Sequence, residues 1–174
     1  MERIKVWDPF VRTFHWSLVA LFAANALFVD KDSHLHIRIG YAIAALVLAR
    51  VVWGLAGKGF ARFGSFPPSL SGAMEQLTEI ATGRRRVHLG HTPLGAWMIY
   101  NLLLAILLIC LSGWLMTTDR FWGVEWPEHL HEFAVTWAEV SVVAHIAAVL
   151  FETRRTRVNL PRAMVTGYKE IPSE

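Results

Sequence analysis

This sequence has one cysteine, Cys110, and it lies inside an apolar run. An intrachain disulfide is therefore impossible. No Cys-x-x-Cys or Cys-x-x-Cys-His occurs, which excludes covalent c-type haem attachment and cysteine-built zinc sites. A cysteine-ligated iron–sulfur cluster lacks its ligands too. Charge is also scarce. Only 18% of the residues are charged, against about a quarter in a soluble domain. The formal charge of +3 is mild. The basic residues sit between apolar runs and form no patch with a readable motif, so no nucleic-acid partner is expected. Asp8, Pro9 and Arg12 precede the first apolar run and no small-residue cleavage site follows it, so a cleaved signal is not expected. No repeat or low-complexity segment is present.

Apolar residues, in contrast, are abundant at 54%. A bilayer core needs about 20 of them in one helix. Four segments qualify, at about 14–29, 37–56, 94–116 and 133–151. The first is short and can extend back toward Pro9. The fourth carries Thr136, Glu139 and Ser141. The link 57–93 holds a loop and then Leu70–Thr82, whose apolar spacing predicts a short amphipathic helix on the cytoplasmic surface. The whole chain, 1–174, reads as one integral membrane domain: an all-α bundle of four transmembrane helices.

Lysine and arginine give the direction. The N-terminal arm has Arg3, Lys5 and Arg12. The central link has Lys58, Arg62, Arg84, Arg85 and Arg86. The tail has Arg154, Arg155, Arg157, Arg162 and Lys169. The opposite links offer only Lys31 and Arg120, with Arg38 at the mouth of the second span. Positive residues stay inside, so both termini and the link 57–93 are expected in the cytoplasm. The tail is expected to be a solvated face lying along the membrane.

Ionisable side chains within a span are costly and mark function. His15, His36, His131 and His145 fall in or just inside the spans, and His91 opens the third. His34, His88 and His129 are more peripheral. Depth sorts the four into pairs. His15 and His145 lie toward the cytoplasm, His36 and His131 toward the outside. His131 and His145 are fourteen residues apart, close to four full turns, so they share one face at about 21 Å separation. One helix can thus give a ligand to each of two stacked sites. Two haems, each with two imidazoles from different helices, want this arrangement. Zinc would gather three or four ligands at one depth. A proton relay stays open, with Glu139 as its one in-span carboxylate. Gly40, one turn after His36, leaves room for a flat macrocycle.

The ordered pieces VRTFHW (11–16), HIRIG followed by Arg50 and WG (36–54), GHTPLGAWM (90–98), SGWLM (112–116), HE (131–132) with His145, and MVTGY (164–168) run through nearly the whole chain. Together they resemble the bacterial membrane cytochrome b family. That family includes the haem-b subunit of nickel–iron hydrogenases and small stand-alone b(561)-type cytochromes. Thr92 stands where the family usually has asparagine. The resemblance implies two non-covalent, bis-histidine haems b, with His15, His36, His131 and His145 as ligands. It implies electron transfer between a redox partner and the quinone pool in the bacterial inner membrane. The partner implied is a c-type cytochrome, a hydrogenase or another dehydrogenase. A small-member alternative is a superoxide:quinone oxidoreductase. A haem-free membrane module is a third reading. Arg12 and Arg50 are candidates to pair with haem propionates, and His91 is a candidate quinone contact. Only Lys31, Arg38 and Arg120 face Asp30, Asp32, Asp119, Glu125 and Glu128 on the outer side. That balance would suit a basic partner better than a superoxide anion.

Overall fold

The structure, a computed structural model, describes residues 2–171. In chain order the elements are β1 (Glu2–Lys5), α1 (Pro9–Leu27), α2 (His34–Ala56), α3 (Leu70–Ala81), α4 (Pro93–Met116), α5 (Glu125–Thr156), α6 (Leu160–Thr166) and β2 (Tyr168–Ile171). Among the described residues α1, α2, α4 and α5 are long and apolar enough to cross a membrane. The fold is an all-α four-span bundle.

Local chemistry explains where the helices begin. The Asp8 carboxylate accepts the Val11 N–H at 2.8 Å, and Pro9 opens α1 with its φ already helical. Helix α1 therefore starts five residues before the apolar run. Ser33 caps α2 through the His36 N–H, and Thr92 caps α4 through the Gly95 N–H, with Pro93 next. Helix α5 is the largest departure from expectation. It runs for 32 residues, well past the 133–151 apolar stretch at both ends. Helical hydrogen bonding does not stop where lipid stops, so its polar first and last turns continue in the same helix.

Phe14, Ile43, Val47, Leu103 and Ile106 form the interior cluster where α1, α2 and α4 meet. Many large apolar side chains, such as Leu48, Val52, Leu104 and Val143, point outward instead. In a bilayer that surface contacts lipid tails, and small residues serve the helix contacts. Ala134, Ala138 and Ser141 do so on α5.

The tail is less solvated than the sequence suggests, with Val158, Ala163 and Lys169 buried. Residues 160–171 fold back as α6 and β2, and β2 pairs antiparallel with β1, from Glu2 opposite Ile171 to Lys5 opposite Tyr168. Gly167 makes the turn between α6 and β2 at φ 88°, a conformation glycine adopts without strain. Lys169, only 3% exposed, donates to the His88 and Gly90 carbonyls at 2.8 Å each. Both chain ends and the central link thus meet at one end of the bundle, here termed the basic end.

Candidate functional site

The helices pair unevenly. Helix α5 packs along α4, α1 packs on α2, and α2 packs on α4, while α5 stands off from both α1 and α2. Two of the sequence-predicted histidines face each other across that separation. His36, in the first turn of α2, and His131 of α5 have ring centroids 6.3 Å apart and planes inclined at 64°. A metal–imidazole bond is about 2 Å and a ring centre sits roughly 1 Å behind its nitrogen, so two axial imidazoles on one metal have centroids about 6 Å apart. The observed spacing fits that value. His15 of α1 and His145 of α5 are close enough to interact electrostatically. His34 and His129 are exposed and turned away.

His131 is held by the neighbouring helix. Its Nδ1 is 3.1 Å from the Ile109 carbonyl and 3.1 Å from Ser112 Oγ. The Ser112 hydroxyl has its own acceptors in the Leu108 carbonyl at 2.7 Å and the Ile109 carbonyl at 3.1 Å. The Nδ1–H therefore donates to the Ile109 carbonyl, and Nε2 keeps its lone pair. A carbonyl behind an imidazole fixes its tautomer and raises its basicity as a ligand. Gly113 lets the ring lie against α4, since a Cβ there would meet His131 Cε1 at 3.3 Å. Neither Ser112 nor Gly113 was singled out from the sequence. Their signal was the SGW motif, whose role depends on which helix packs against it.

The other histidines of the pairs lack such a hold. His15 and His36 each have a buried Nδ1 with no partner among the described residues. At Gly40 a Cβ would have no atom within 4 Å, so the α2 face one turn from His36 is open. Paired imidazoles, a fixed tautomer and a flat helix face fit a haem held by two histidines. Among the described residues no group of three or more histidine, cysteine or carboxylate side chains gathers as a metal site. Glu139 lies about 80° round α5 from His131. It is exposed and has no hydrogen bond or ion pair with a described residue, so it is not joined to the histidines.

Arg12 and Arg50 sit at the basic end. Arg12 Nη1 donates to the Val165 carbonyl at 2.9 Å, and its Nε is buried without a partner among the described residues. Arg50 is 4% exposed. Its Nη2 donates to the Ala61 carbonyl at 3.1 Å, its guanidinium lies 4.8 Å from the Phe63 ring, and Nη1 has no partner among the described residues. His91 is enclosed between the Trp7 and Phe66 rings, at 4.6 and 4.1 Å. Burial pushes its pKa down to about 3, helped by Lys169 and Arg50 nearby, so it is neutral. Lys169, whose burial the sequence did not reveal, has its pKa lowered to about 8 by desolvation. At the opposite end a cleft of about 370 Å³ is lined by Met116, Phe121, Trp122, Val124, Glu125 and Glu128.

Fold and histidines together define the class: a four-span membrane bundle in which His36 and His131 approach each other across an interhelical space. The chain belongs to the prokaryotic cytochrome b561 family, whose model matches residues 6–167. Membership makes it a multi-pass bacterial membrane protein of haem-b transmembrane electron transfer. Comparison with curated proteins and with solved structures found no match.

Proposed function

We propose that this chain is a transmembrane electron conduit holding two haems b. His15 and His145 hold one near the basic end, and His36 and His131 hold the other near the opposite end. The observation that carries the proposal is the approach of His36 on α2 to His131 on α5, with ring centroids 6.3 Å apart. His145, fourteen residues further along the same helix, lies within electrostatic reach of His15 on α1.

Held by these four histidines, haem b would supply one-electron exchange. The protein's part is to position. The Ile109 carbonyl and Ser112 set the His131 ring, and Gly113 and Gly40 keep backbone close to the site. The free nitrogens of Arg12 and Arg50 suit an anionic oxygen, and a haem propionate is such a group.

The basic end, rich in arginine, is cytoplasmic by the positive-inside rule, in the bacterial inner membrane. The other end is acidic, and Glu125 and Glu128 line its cleft. That charge attracts a basic redox protein, such as a c-type cytochrome, and repels superoxide. Electrons then pass between that partner and the quinone pool. Mixing the purified protein in liposomes with a quinol tests the quinone arm. Reduction of the haem spectrum within seconds supports it. A spectrum that dithionite reduces and quinol does not contradicts it.

A further inference from the structure

Helix α3 divides its circumference among three surroundings. At 100° per residue, Ala73, Gln76 and Ile80 share a face that lies on the protein and is buried or half-buried. Gln76 Oε1 accepts the Leu94 N–H at 2.9 Å, and a Cβ on Gly72 would touch Pro93 at 3.4 Å. Ser71, Glu75, Thr78 and Thr82 lie almost opposite and are exposed. Between these two faces runs a third stripe of Leu70, Met74 and Leu77, which is about 60° wide. Those three side chains are 72, 58 and 47% exposed.

A solvated surface helix turns its apolar stripe onto the protein. This one buries Gln76 and Glu79 and presents leucines and a methionine outward. The stripe lies at the rim of the lipid-facing surface. Helix α3 crosses the first turns of α4, and the exposed Trp97 of α4 donates its Nε1–H to the Ser69 carbonyl that begins α3. Three exposed arginines follow. Arg86 is tied to Glu75 and Glu79 at 3.2 and 3.6 Å. Arg84 and Arg85 form no ion pair with a described carboxylate, and Lys58 and Arg62 add exposed charge to the same link.

We propose that α3 docks on the anionic headgroups of the bilayer leaflet at the basic end. Leu70, Met74 and Leu77 reach the acyl boundary, and Arg84 and Arg85 pair with lipid phosphates. Protein, lipid and water then each meet the face of α3 that suits them. Through Gln76 and Leu94 this docking also steadies the start of α4. The proposal needs only a chain embedded in a membrane, and no cofactor.

The test uses the full chain in nanodiscs of phosphatidylcholine with phosphatidylglycerol. Met74→Cys and Thr78→Cys, each with Cys110→Ser, carry a fluorophore. The expected result is quenching at position 74 by brominated acyl chains and at position 78 by aqueous iodide. In a chain with native Cys110, the Arg84→Gln/Arg85→Gln variant should lower enrichment of phosphatidylglycerol among co-purified lipids by about tenfold. This second measurement stands alone if Cys110→Ser does not fold. Iodide reaching positions 74 and 78 equally would overturn the proposal. So would position 74 shielded from both quenchers, which would put a protein surface there. Unchanged phosphatidylglycerol enrichment in the arginine variant would overturn it as well.

Discussion

Replacing Gly113 by alanine adds one methyl group beside a proposed haem ligand. The new Cβ would stand 3.3 Å from His131 Cε1 and 3.5 Å from Nδ1. That is tighter than ordinary contact, so the ring must give by a few tenths of an ångström. The Nδ1–H bond to the Ile109 carbonyl, already 3.1 Å, lengthens. A hydrogen bond of this kind contributes about 0.5–1.5 kcal/mol, and weakening it makes the imidazole a poorer electron donor. The ferric form loses more than the ferrous form, so the potential rises. Losing about half of that bond corresponds to roughly 10–30 mV for one electron, taking 59 mV per tenfold change. Alanine favours helix over glycine by about 1 kcal/mol, so the variant should fold. Optical redox titration in detergent is the assay. One haem should move upward by that amount while the other keeps its potential. Equal shifts in both, or a downward shift in one, would refute this role for the Ile109 carbonyl.

Asn101 joins α4 to α5, accepting the Trp137 indole N–H and donating to Ser141 Oγ, each at 2.9 Å. Asn101→Leu should cost about 1 kcal/mol and lower the temperature at which the Soret band collapses. An unchanged temperature would show that the seam is held by packing alone. His91 gives a pH dependence. Its pKa is depressed, so the folded state binds fewer protons than the unfolded state between about pH 3 and 6.5. Stability should therefore fall as pH drops below 6.5. His91→Phe should flatten part of that fall, with the depressed His88 supplying another part. Thermal scans at pH 7, 6 and 5 measure it. Glu125→Gln/Glu128→Gln should slow electron exchange with a basic c-type cytochrome severalfold at low salt and change little at high salt. A stopped-flow salt series decides this.

Much of the bundle was legible because its signals are local. Apolar runs mark the span centres, and helical periodicity brings His131 and His145 to one face. The capped starts at Asp8–Pro9 and Thr92–Pro93 are equally local; the second coincides with its apolar run, while hydropathy underweights the first because its opening turn carries Arg12. The rest depends on partners distant in the chain. Strands β1 and β2 are four residues each and pair across nearly the whole sequence. Nothing near Lys169 predicts that two backbone carbonyls from the link will bury it. Ser112 and Gly113 gain a role only once α5 lies against them. The tail misled for a related reason. Its arginines suggested a solvated face, but Val158 and Ala163 are 1% exposed, and Ala163 packs with Val6 and Trp7.

The paired-ligand claim is tested most directly by a pyridine haemochrome assay on detergent-purified protein, comparing the unaltered chain with His131→Ala and His15→Ala. The account predicts two haems b per chain, falling toward one in each variant. A haem-free chain from haem-supplied cells, or two haems retained in either variant, would contradict it.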